Sequence, residues 1–206
     1  MTIPPQNPGN SGNATRAGLS VLAIVLIILG VFAVVGVVVI ALLVAILVPS
    51  LSRAREASKE VAAMANMRGI TVALEMYAND YDARLPSSLA PTLPYGVSPK
   101  TLRDPRTGLP PMAEPLPGMS AERLASDVEA HSDYRFVGEG LRISRLSRPS
   151  EVPLIIAKTL SRRGEWLIGF ADGHVERVRP ADLTRYMDEL NKARAAEKLP
   201  ALPAPE

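Results

Sequence analysis

From residue 21 to residue 48 no side chain carries a charge, a hydroxyl or an amide. A helix of that length, 28 residues, runs about 42 Å at about 1.5 Å per residue, against about 30 Å of bilayer hydrocarbon. One span fits with length to spare. Nothing after Pro49 stays apolar for more than a few positions, so a second span does not. Pro49 and Ser50 close the run, and Ser52, Arg53, Arg55, Glu56, Lys59 and Glu60 follow with no loop chemistry between. From there Leu51, Ala54, Ala57, Val61, Met64, Met67, Ile70, Leu74, Tyr77 and Tyr81 recur every three or four residues, the stripe of an amphipathic helix. The pattern predicts one helix that crosses a membrane over residues 18–49 and continues as an amphipathic stalk over residues 50–82, with Pro49 as the place for a kink.

Asn79, Asp80 and Asp82 mark the end of that helix. The stretch 83–119 is too rich in proline for central strands or helices and predicts an irregular wrap. Residues 120–198 read as a small α+β head. Met119 to His131 predicts a short helix capped by Ser120. Strand character follows at residues 134–137, 141–146, 152–159, 166–171 and 174–178. Between the last two stands Asp172-Gly173, which predicts a two-residue hairpin with positive φ at both turn residues. Pro180 opens a final helix to Lys198, with Leu183, Met187 and Leu190 as its apolar face. At the two ends, residues 1–17, with prolines, amides and Arg16 as the single charge, predict a disordered leader, and residues 199–206 a disordered tail. The apolar run exceeds that of a secretory signal peptide, so the expectation is an uncleaved anchor.

Composition removes several functional classes. With zero cysteines, disulfide frameworks, thiolate zinc sites and cysteine nucleophiles are excluded. A net charge of +2 gives no case for a nucleic-acid partner. Asp172 and His174 flank a turn, where Asp serves turn geometry and His starts the return strand; an acid-base or metal role is the competing reading. Asn79, Asp80 and Asp82 offer oxygens, and Asp80 and Asp82 are the candidates for Ca²⁺, although the D-x-D-x-D-G spacing of a calcium loop is absent. No serine has a nucleophile-elbow context, and Gly138-Glu139-Gly140 lacks what a phosphate loop needs. No catalytic residue and no cofactor is expected.

Three blocks carry a family resemblance. Leu47-Val48-Pro49-Ser50-Leu51-Ser52-Arg53-Ala54-Arg55-Glu56, then Met76-Tyr77-Ala78-Asn79-Asp80-Tyr81-Asp82 with Leu85-Pro86, then Gly169-Phe170-Ala171-Asp172-Gly173-His174-Val175 stand in that order. Together they resemble bacterial prepilin-like proteins of the His-X9-Asp-Gly class, planctomycete type, related to type IV pilins and type II secretion pseudopilins. The resemblance implies a pilin-like α+β fold: a long N-terminal helix packed against a small antiparallel sheet, with a C-terminal helix added here. It makes Pro49, Arg53, Arg55, Asn79, Asp80, Asp82, Phe170, Asp172, Gly173 and His174 structural signature positions. It also implies a non-enzymatic envelope subunit of the bacterial inner membrane with an extracytoplasmic head. The partners implied are the lipid bilayer and, through the N-terminal helix, further copies of the chain or pilin-like and secretion-platform proteins.

The chain departs from the family pattern at two places. Gly18 after Arg16-Ala17 leads into Leu19-Ser20-Val21 rather than a processing site, and no Glu precedes Glu56. Arg162 stands where the signature His belongs. The charges beside the span, Arg16 before it and Arg53, Arg55 and Lys59 after it, favour a cytoplasmic head by the positive-inside rule, whereas the resemblance favours export. Two alternatives from other classes follow: a membrane-tethered binding module that does not polymerise, and a membrane-anchored enzyme using Asp172 and His174.

Overall fold

A computed structural model describes residues 13–116 and 118–205, with side chains from residue 21 onward. Helix α1 runs Asn13–Asp80 with Pro49 inside it. The first twelve residues of the expected leader lie outside the described residues. From Asn13 the chain is helical, earlier than the expected residue 18. Residues 13–17 contain neither Pro nor Gly, and extending an established helix by a turn costs little. The chain falls into two structural units, Met1–Ala54 and Arg55–Glu206. In the first, the large apolar side chains of residues 21–48 are all exposed, from 47% at Val25 to 73% at Phe32.

In the second unit, the last part of α1 buries one face: Ala63, Met67, Ile70, Thr71, Leu74 and Ala78. This stripe is rotated from the expected one, since Val61 is 65% exposed and Ala57 and Tyr81 face solvent. Small Ala63, Ala73 and Ala78 are buried because they let other elements approach the helix closely. Periodicity in large apolar residues alone overlooks them.

The sheet is a four-stranded antiparallel meander in the order β1-β2-β3-β4: β1 Tyr134–Phe136, β2 Pro153–Ala157, β3 Trp166–Phe170 and β4 Val175–Val178. All five residues of β2 and all five of β3 are buried, so these strands are covered on both faces. Gly169 faces α1, where Thr71 and Met67 lie against it. Phe170, on the opposite face, meets Tyr186 edge-on at 5.0 Å. Tyr186 belongs to α3, Pro180–Ala196, which also buries Leu183, Met187 and Leu190. The register of β2 shifts between Pro153 and Ile155, beside the residue that has no N–H to give the ladder.

Helix α2, Ala121–His131, starts where expected, with the Ser120 hydroxyl accepting from Arg123 N–H at 3.3 Å. The proline-rich wrap is irregular apart from a 3₁₀ turn, Ala90–Tyr95, and it buries Leu85, Leu89, Val97, Leu102 and Met112. Residues 141–146 do not form the expected strand; they hold a 3₁₀ turn at Ile143–Arg145. Their backbone pairs with the chain leaving α1 instead: Leu85 N–H donates to Leu141 O at 2.8 Å and Ile143 N–H to Ala83 O at 2.8 Å. The hairpin also differs. Phe170 N–H donates to His174 O (2.9 Å) and Gly173 N–H to Phe170 O (3.1 Å), closing a three-residue loop of Ala171, Asp172 and Gly173. Only Gly173 has positive φ (83°). This is a tight turn followed by a left-handed glycine, the common three-residue alternative to the two-residue loop.

Candidate functional site

The Asp-Gly hairpin is where the sheet is fastened to α1. Asp172 Oδ1 accepts from the backbone N–H of His174 at 3.2 Å and pairs with its Nδ1. The imidazole lies flat on Phe170, ring centroids 4.3 Å apart, and its Nε2 stands 3.8 Å from Glu176. From α1, Thr71 Oγ1 donates to Arg68 O at 2.8 Å and reaches Gly173 O at 3.4 Å, while Glu75 sits over Gly173. Burial acts to raise the carboxyl pKa of Asp172, but the hydrogen bonds from His174 outweigh it and hold the group below its ordinary range. Glu75 is pushed up, first by burial and then by the charge of Asp172. All of these contacts shape a turn and hold it to a helix.

Two further pairs join α1 to the same region. Arg177 on β4 meets Glu60 at 3.2 Å, and Arg162, at the position where the family's signature His was expected, meets Glu56 at 3.4 Å. As members of a solvated helix face, Glu56 and Glu60 give no local sign of this. Their partners lie about a hundred residues away, and sequence spacing does not report such pairs. Arg53 and Arg55 are exposed on α1 and pair with no carboxylate among the described residues.

At the end of α1, Asn79 and Asp80 are exposed, and Asp80 Oδ2 accepts from the Tyr95 hydroxyl at 2.7 Å. That bond drives the Tyr95 phenol up to about 12. Tyr95 packs edge-on against Tyr77, which stacks on Tyr81. Asp82 and Ala83 follow with φ of 51° and 59°, and Ala83 N–H returns to Ala78 O at 2.8 Å. Asp82 suits that left-handed geometry; Ala83 is held in it by the closing bond. Among the described residues no three His, Cys, Asp or Glu side chains gather to hold a metal ion, so Asp80 and Asp82 stand without further carboxylate or imidazole ligands.

Two polar clusters inside the second unit have no counterpart in the sequence motifs. Asp133 gathers Arg103 (3.2 Å), the Asp104 N–H (2.9 Å) and the Thr107 hydroxyl (3.3 Å), while the buried Asp104 carboxylate takes Arg106 at 2.6 Å. Arg194 is fully buried in α3 and donates to Pro200 O (2.7 Å), Val137 O (3.1 Å) and Glu139 (3.0 Å). These tie the loops and the C-terminal tail to the sheet, as buried charges require. The Asp104-x-Arg106 spacing is a local signal that could have pointed to the first; nothing local marks the second.

Comparison of the chain with protein-family models, with curated proteins and with solved structures finds no match.

Proposed function

We propose that this chain is a membrane-anchored structural and interaction subunit of the bacterial envelope, of pilin-like character. One observation carries the reading: a single helix bears both an exposed apolar segment and, farther along, the buried strip on which an α+β unit is built. Exposed Val, Leu and Ile over this length is stable only in lipid or against other apolar helices. The span exceeds the hydrocarbon thickness, and neighbouring helices in an assembly would cover the excess. Around Gly30 and Gly36 no atom beyond the adjoining residues and the helix's own nearby backbone lies within 4 Å of where a Cβ would stand, so both offer open backbone to such a neighbour. The resemblance to prepilin-like proteins supports an extracytoplasmic head and a type II secretion or type IV pilus-like setting.

Protease treatment of intact spheroplasts, read together with the apparent mass of the anchored protein, tests the proposal. Digestion of the head from outside is the expected result. Full-length mass would identify an unprocessed subunit or tether, in keeping with the absent processing motif, and a shorter mass would identify ordinary pilin processing. Protection until lysis would place the head in the cytoplasm and overturn the envelope reading. Loss of a measured activity in an Asp172→Asn variant would favour the enzyme reading instead.

A further inference from the structure

A cleft of about 340 Å³ opens along the free edge of β1, walled by α2, by the chain at Ser87 to Leu89 and by Leu202 of the tail. β1 ends the sheet, with β2 on one side only. Val137 N–H donates to Leu154 O and Lys158 N–H to Asp133 O, so in the β1–β2 register residues 133, 135 and 137 turn their backbone groups toward β2. Tyr134 and Phe136 therefore turn theirs outward. The Ser132 hydroxyl closes Tyr134, accepting from its N–H and donating to its C=O, both at 3.1 Å. In this register the N–H and C=O of Phe136 point away from β2, and no loop backbone group among the described residues pairs with them. A backbone pair left open at a partly buried strand edge is an incomplete ladder.

The charges around the cleft are also unbalanced. Arg135 and Lys158 both line it, and neither forms an ion pair among the described residues; Lys158 Nζ reaches only the backbone carbonyl of Glu129, at 2.9 Å. Of the two carboxylates lining it, Glu139 is matched by Arg194, and nearby Asp133 is matched by Arg103, which leaves Glu129 against two cations. Leu89, Val128 and Phe136 supply the apolar lining.

From this we infer that the cleft receives the C-terminal segment of a partner protein, laid as an extended strand against Phe136, with its terminal carboxylate held by Arg135 and Lys158. The ladder is one residue long, because Ser132 blocks it at Tyr134. It therefore suits a chain end rather than a strand passing through. Backbone pairing with Phe136 supplies affinity, and the two cations select the free carboxylate. The cleft does not depend on whether the apolar helices associate, so its failure would leave the membrane-subunit reading standing.

The test uses the full chain in detergent micelles and a fluorescent apolar pentapeptide with a free C-terminal carboxylate, followed by anisotropy. Expected is saturable binding that weakens about tenfold or more for the C-terminal amide, as loss of a charge-assisted contact predicts. Arg135→Gln and Lys158→Met should each weaken the free acid and leave the amide unchanged. Because Lys158 also bonds α2, Arg135→Gln is the decisive variant should Lys158→Met lose structure. Equal binding of acid and amide, equal binding of an amidated peptide with an internal Asp, indifference to Arg135→Gln, or no binding would each overturn the proposal.

Discussion

Replacing Gly169 by Ala tests how closely β3 rests on α1. An added Cβ would stand 2.8 Å from Thr71 Cγ2 and 3.1 Å from Met67 Cγ. Ordinary carbon–carbon approaches lie at about 3.5–4.0 Å, so the methyl arrives about 0.7 Å too close to a group with little freedom. Thr71 cannot turn its Cγ2 away without moving the hydroxyl that bonds Arg68 O and reaches Gly173 O. Met67 Cγ lies near the root of its side chain, away from the flexible end. Overpacking of this kind costs about 1–3 kcal/mol, or a fall in Tm of about 3–9 °C for a unit the size of Arg55–Glu206. Trp166, the single tryptophan, is 5% exposed on the same strand, and its fluorescence reports the transition in the micelle-bound full chain. Thr71→Ser removes the offending methyl and keeps the hydroxyl. The double variant should therefore be less destabilised than the sum of the two single variants by about 1 kcal/mol or more. An unchanged Tm for Gly169→Ala, or purely additive effects, would refute the close approach of strand and helix.

Other consequences follow from the same geometry. Glu75, whose folded-state pKa is raised, opposes folding while ionised, so Glu75→Gln should raise Tm at pH 7. That gain should disappear as pH falls below the ordinary value of 4.5. Asp172 has the opposite sign. Its contribution is present above the ordinary 3.8 and lost as pH falls through the lowered folded value. Thermal melts across that range should fall less steeply for Asp172→Asn. Arg194→Ala should cost at least about 2 kcal/mol in denaturant titration, since it strands the buried Val137 carbonyl and frees the Pro200 carbonyl and Glu139, and Arg194→Lys should recover little because one ammonium cannot span three acceptors. In an ultraviolet titration one tyrosine should ionise only near pH 12, and Asp80→Asn should bring that step down toward 10.

The membrane-length helix, its passage without a break into the folded unit, the Ser120 cap and the strands on either side of Asp172-Gly173 were all legible in the chain. Each depends on residues within a few positions of one another: an unbroken apolar run, a hydroxyl three residues before the N–H it accepts from, alternation over a short strand. Only folding showed that Asp172-Gly173 closes a three-residue loop, because the pairing of Phe170 with His174 depends on how β3 and β4 align. The same holds for residues 141–146, whose strand-like composition is overridden by hydrogen bonds to Ala83 and Leu85. Tertiary structure also decided which side of α1 is buried, since strands lie closest where side chains are small. The pairing of Glu56 with Arg162 and Glu60 with Arg177, and the open Phe136 backbone beside Arg135 and Lys158, join parts of the chain that only the fold brings together. Local order follows from near neighbours, but the partner of a charge or of an unpaired backbone group is set by which distant segments meet.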